Sequence, residues 1–466
     1  MVRDKSFYRT LVAIALPVAF QSFISLSVNM MDNIMVGSLG EIKLSGVALA
    51  NQVTIFLTFF IRGASGGASV LISQYWGKKD MTRIKSVFGI VFQLCLLVTG
   101  IAVAVIHTFP AAVMGLFTND QDIIAQGMEF IRIVCFSYLL YCITDTMVGM
   151  LRCVEVVKVS LYIACITLAV NTSLDYVLIF GKLGFPAMGV RGAAIATVIA
   201  RATELAFVLT YVFVMDKRLR LKVRDLFVVE RQLYADFFRY GLPILFGDLQ
   251  WGLVGTFKAT IVGRLGPVMV AANSMTEVVL SLGTVFTGGL ANAATVIIGK
   301  TVGVGDYKKT REYSNTIQLL FLGVGLVMMS LVFALRWLPL SLYQVSGQTR
   351  DLAMIMLAIG AITMVGTTYH AACFTGINRG AGDGKFVFKV DMICGWLIVL
   401  PSMYLMAFVL PGYLQSHLPL SPLTTFIVTW QLPLVFLCSR IDQCFKWLIA
   451  LIRLRGDKWI RNVTRA

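Results

Sequence analysis

Two carboxylates and an amide stand where apolar side chains are expected. Asp32 interrupts "SVNMMDNIMVGSLG" (27–40), which ends a run of mostly apolar and small residues beginning at Thr10. Further along, "LAVNTSLDYVLIFG" carries Asn171 and Asp175 four residues apart, a spacing that puts both on one helix face. An ionised aspartate near a bilayer centre costs about 2.5–3.5 kcal/mol on insertion scales, so a carboxylate there is by default a functional group. Two such acids sharing a low-dielectric site repel when both are ionised, and the pair is relieved by holding a proton between them. The same oxygens suit a bare cation such as Na⁺. Asp32, Asn171 and Asp175 are therefore candidates for carrying protons or binding Na⁺. Thr197 and Asp145 lie in neighbouring apolar runs.

The elements that would hold these residues are membrane helices. The 466 residues are 58% hydrophobic and only 14% charged, with a mean hydropathy of +0.81, whereas soluble chains carry about 25% charged residues. A bilayer-crossing helix needs about 20 apolar residues. Such runs fall near 10–36, 47–73, 87–109, 124–151, 159–181, 189–215, 236–263, 268–298, 314–338, 352–377, 387–409 and 423–452. The expectation is an all-α membrane protein with twelve transmembrane helices. The first run is too long for a signal-peptide core and has no small-residue cleavage site, so it reads as a retained span.

The connections test that count. The second, "YWGKKDMTRIK", and the eighth, "GKTVGVGDYKKTRE", each hold four Lys/Arg, and the sixth, "DKRLRLKVRDLFVVER", holds six. "TFPAAVMGLFTNDQD" and "PGYLQSHLPLSP", on the other side, hold none. By the positive-inside rule both termini are cytoplasmic, and the net charge of +16 needs no nucleic-acid partner.

The chain also repeats itself. A shift of 226 residues lays "ALPVAF" (15–20) on "GLPILF" (241–246), "IMVGSLG" (34–40) on "TIVGRLG" (260–266) and Asp80 on Asp306. Halves of six spans re-enter from the same side, so the two six-helix lobes form a parallel internal repeat of the kind many secondary transporters use. The expected divisions are 1–215 for the N-terminal lobe, 216–234 for a cytoplasmic linker, 235–452 for the C-terminal lobe and 453–466 for a basic cytoplasmic tail. Asp32 aligns with Lys258, so the repeated fold does not itself require a carboxylate there.

Other charges inside the spans are Arg62, Arg201 and Glu204 in the first half and Asp248, Lys258, Glu277 and Asp391 in the second. Arg62, Asp145, Asp248, Lys258 and Glu277 are candidates for a substrate cavity or a secondary coupling role, with helix-fastening ion pairs as the plainer reading. "VIIGKT" (296–301) lacks the first P-loop glycine, having Ala294 there, and closes an apolar span. The three histidines (His107, His370, His417) and nine cysteines show no HExxH or CxxC spacing, so no enzyme, cofactor or resident metal site is expected. Without an ATP site, any active transport would draw on an ion gradient.

"MMDNIMVGSLG", "NTSLDYVLIFGKLGFPAMGVRGAA" (171–194), "RGAAIATVIAR" (191–201) and "INRGAGD" (377–383) resemble signatures of the multidrug and toxic compound extrusion (MATE) family, and the similarity extends over all twelve spans. The resemblance implies an alternating-access antiporter in a bacterial inner membrane, working as a monomer and exchanging protons or Na⁺ for small amphipathic, often cationic, organic substrates. It matches Asp32, Asn171, Asp175 and Thr197 to the ion-coupling site of the DinF-type branch. The NorM-type branch has acids where this chain has Trp251 and Thr368, which favours proton coupling in the first lobe. The wider superfamily also contains lipid-linked-precursor flippases. Such a protein would line its cavity with cations, and this chain offers mainly Arg62 and Lys258 at depth.

Overall fold

The computed structural model describes residues 2, 4–228, 230–340, 345–417 and 421–465. In the first half the apolar runs become α1 (Lys5–Gly37), α2 (Glu41–Lys78), α3 (Met81–Thr108), α4 (Gln121–Cys153), α5 (Lys158–Phe180) and α6 (Val190–Met215). The second half gives α7 (Leu242–Gly263), α8 (Pro267–Val304), α9 (Tyr307–Leu335), α10 (Gly347–Arg379) and α11 (Gly384–His417). Ten of these eleven are apolar and long enough to cross a bilayer by themselves, and α7 adds a 22-residue helix. The twelfth run is helical in pieces: α12 (Pro422–Thr429), α13 (Gln431–Cys438), a 3₁₀ turn Ile441–Cys444 and α14 (Lys446–Arg455). This is the twelve-span, all-helical architecture that the apolar runs predict.

The repeat holds to the residue. α1 ends at Gly37 and α7 at Gly263, while α2 and α8 are both 38 residues long. Asp80 and Asp306 cap the next helix alike, accepting from the amides of Arg83 and Lys309 at 3.0 Å, which satisfies donors that the first helical turn leaves free. The left-handed residue before each cap is Gly305 (φ 86°) in one half but Lys79 (φ 61°) in the other.

Two compact units emerge from the packing: Ala13–Asp248 with Val463–Ala466, and Met1–Val12 with Leu249–Asn462. In the first, α2 packs against α3 and α4, and α6 packs against α4 and α5. Its core includes Ala50, Ile131, Val134, Tyr138 and Ala194. In the second, α10 packs on α8 and α9 around Ala272, Ala353, Met356 and Met403. Among the described residues, α1 and α7 stand outside these closely packed pairs.

Candidate ion-coupling site

α5 and α6 are locked together next to the acids. Gly181 ends α5 in the left-handed conformation, and the amides of Met188 and Gly189 return to the carbonyls of Leu178 and Ile179. A Cβ on Gly192 would lie 2.6 Å from the Leu178 carbonyl oxygen, so only glycine allows this approach. Asn171 and Asp175 sit one turn apart on α5, 2% and 1% exposed. α1 brings Asp32 to them, and the carboxyl groups of Asp32 and Asp175 face one another within hydrogen-bonding reach. No donor reaches Asp32 Oδ1, either oxygen of Asp175, Asn171 Oδ1 or Thr172 Oγ1, although all five atoms are buried. Buried polar atoms in folded proteins are nearly always paired. Such a concentration of unsatisfied oxygens can take up a proton or a small cation. Thr197 lies on α6, and its hydroxyl donates to the Ala193 carbonyl at 3.0 Å.

A second cluster in the same unit gathers three of the other candidates. Its hub is Tyr141 on α4, which composition and spacing gave no reason to choose. The Arg201 guanidinium lies 4.7 Å from the ring centroid, and the hydroxyl is 3.5 Å from Asp145 Oδ1. Arg62 is hydrogen-bonded to the same phenol and feels the charges of Asp145 and Asp248. Arg201 also pairs with Glu204 at 2.6 Å, and Arg152 donates to Gln21 at 2.9 Å. Arg201 acts on Asp32 electrostatically, which links the two clusters.

The remaining candidates, Lys258 and Glu277, lie in the other unit. The Lys258 ammonium donates to the Ser439 carbonyl at 2.6 Å, and Glu277, half exposed, pairs with Arg440 at 2.9 Å. Trp251 of α7 lies beside this unit's buried charges, its ring 5.0 Å from the Lys446 ammonium. Thr368 is fully buried with its hydroxyl 3.4 Å from that of Thr287. Sequence reading missed Asp442 and Lys446, which with Asp391 form a buried ion-pair triad. The available signal was three charges, Arg440, Asp442 and Lys446, within one apolar run.

Six-span halves that repeat in parallel are an architecture common among membrane transporters. The MatE family profile matches residues 17–177 and again 243–405, the second match starting one repeat length after the first; the chain belongs to the MatE family. A relative from Agrobacterium fabrum, "Probable multidrug resistance protein NorM", is 25% identical over 412 residues, covering 86% of this chain and 88% of its own. In Bacillus subtilis the "Uncharacterized transporter YisQ" is 22% identical, covering 86% and 88%. Among solved structures, an outward-facing conformation of a multidrug resistance MATE family transporter of the MOP superfamily superposes with a TM-score of 0.83 at 18% identity, covering 98% of this chain and 96% of that one.

Proposed function

We propose that this protein is a proton-coupled antiporter of the inner membrane that exports amphipathic, often cationic, organic compounds by alternating access. The carrying observation is the Asp32–Asp175 pair: a buried carboxyl group and a partly buried one facing each other amid buried oxygens that have no hydrogen-bond partner. Two like charges about 4 Å apart repel by about 4 kcal/mol at an effective dielectric near 20. A single proton shared between the two oxygens removes that repulsion. Holding and losing this proton would be the event that biases the structure. With the proton bound the pair attracts, drawing α1 toward α5; without it the pair repels. α1 is suited to respond because it lies outside the tightly packed helix pairs. Proton entry from outside would release substrate outward, and proton loss to the cytoplasm would reset the cycle. Each proton supplies about 1.4 kcal/mol per pH unit and about 2.3 kcal/mol per 100 mV, enough for roughly hundredfold accumulation.

The relatives named for multidrug resistance support the substrate class. Trp251 and Thr368, standing where acids would be needed in the second half, support a DinF-type assignment. In this reading 216–234 is a cytoplasmic linker, both termini are cytoplasmic, and a single chain suffices. Na⁺ at the oxygens of Asp32, Asn171 and Asp175 is the second reading, favoured by the same unpaired acceptors. Proteoliposomes loaded with a fluorescent cationic dye separate the two. Dye release driven by a pH gradient alone, and abolished by Asp32→Asn, supports proton coupling. Release driven only by a Na⁺ gradient supports the second reading.

A further inference from the structure

The second unit buries a different arrangement of charge. Asp391 comes from α11, Asp442 from the 3₁₀ turn after α13 and Lys446 from the start of α14, and they are 5%, 3% and 1% exposed. The Lys446 ammonium sits 3.0 Å from Asp391 Oδ1 and 2.8 Å from Asp442 Oδ2, with the Trp251 ring 5.0 Å away. The turn is pressed into place because Gly366 of α10 has no Cβ: one built there would lie 2.2 Å from the Gln443 carbonyl oxygen. The Gln443 amide donates to both Asp442 oxygens at 3.1 and 3.2 Å, while its own Oε1 is buried without a donor. Lys258 of α7, His370 of α10 and Cys394 of α11 are the other titratable groups that act on this cluster, with Arg440 and Glu277 at its edge. The two aspartates and the two lysines sum to zero charge.

Carboxylate oxygens from two residues therefore flank a position that holds a monovalent cation, and the cation belongs to the protein. We infer that Lys446 is a built-in cation that closes the Asp391–Asp442 oxygen site to diffusible ions and so decides the ion selectivity of the second half. Removing one partner of a buried ion pair leaves the other charge uncompensated at a cost of several kcal/mol. A variant without the ammonium therefore has strong reason to take up Na⁺ in its place. This inference is independent of how the Asp32 pair is used.

The test is thermal unfolding of the full-length protein in detergent, in NaCl against choline chloride at equal ionic strength. Wild type, Lys446→Met and Lys446→Met/Asp391→Asn are compared, and only the gain over wild type is read, so Na⁺ binding at Asp32 does not enter. The expected result is that Lys446→Met unfolds several degrees higher in NaCl than in choline, beyond any wild-type difference, and that the gain disappears in the double variant. If Lys446→Met folds only when Na⁺ is present from lysis onward, that is the same result in stronger form. An equal salt response in all three proteins overturns the inference. So does failure of Lys446→Met to fold in either salt, because Na⁺ then does not replace the ammonium.

Discussion

At the scale of single residues, the site is defined by what its oxygens lack. Asp175 is almost fully buried, and neither of its carboxylate oxygens meets a donor. An unsatisfied buried acceptor costs about 1–3 kcal/mol, a cost that functional sites commonly carry. Asp175→Asn keeps the side-chain shape, removes the facing like charge and provides a donor to Asp32. The expectation is a higher unfolding temperature together with loss of gradient-driven efflux, measured by scanning fluorimetry and dye release on the same preparation. Lower stability would mean that the pair is a structural bond. Asp32, Asn171 and Asp175 were legible in the sequence because a carboxylate inside an apolar run has few bland explanations. Tyr141 was not, since a tyrosine in a membrane helix is ordinary until Arg62, Asp145 and Arg201 are seen to converge on it. Asp442 and Lys446 were missed for a related reason. Charges near the end of a span can snorkel to the interface, and only Asp391, 55 positions away, reveals that Lys446 is buried.

At the scale of elements, the repeat gives paired positions that can be played against each other. Lys79 adopts a left-handed conformation that its counterpart Gly305 takes without strain. For a residue with a side chain this conformation costs about 1–2 kcal/mol. Lys79→Gly is expected to stabilise the protein by about 1 kcal/mol with transport unchanged; a destabilised variant would mean that the exposed lysine makes a compensating contact. Gly192 argues in the opposite direction. A Cβ there would collide with the Leu178 carbonyl three residues from Asp175, so Gly192→Ala should cost about 1–3 kcal/mol and weaken efflux by displacing α5. Unaltered flux and stability would show that α6 can yield. The paired helix ends were readable from the aligned glycines and aspartates of the two halves. The break of the twelfth span was not, because 423–452 is apolar enough to pass for one helix, and its interruption follows from burying Asp442 and Lys446 beside Asp391.

At the scale of the whole molecule, the chain returns to its first unit at the end. Val463 donates to Gln74 at 2.8 Å, Lys78 donates to the Arg465 carbonyl at 2.9 Å, and the Arg465 guanidinium grips Asp236 through two contacts of 2.6 and 2.9 Å. The sequence showed only a basic tail. A bidentate arginine–carboxylate pair is among the stronger exposed ion pairs, though solvent exposure screens it. Arg465→Ala and Asp236→Asn should each lower thermal stability by a similar amount, and the double variant by little more than either alone; simple additivity would contradict the pairing. The segment 216–234 is anchored in a comparable way. Burial alone would raise the Asp225 carboxyl, but the Lys222 amide and the Lys85 ammonium, each at 3.0 Å, outweigh it and hold the group below the usual carboxylate range. With the folded state favouring the ionised form, that anchorage is present at neutral pH and is lost as pH falls below the range where an unfolded aspartate protonates.

In the proposed mechanism Asp32 and Asp175 share a proton that substrate and gradient both act upon. The most direct measurement adds a cationic substrate to detergent-solubilised protein in weakly buffered solution containing a pH indicator. Release of protons by wild type, saturating with substrate and absent in Asp32→Asn, is the predicted result. Unchanged release in Asp32→Asn, or no release unless Na⁺ is present, would contradict it.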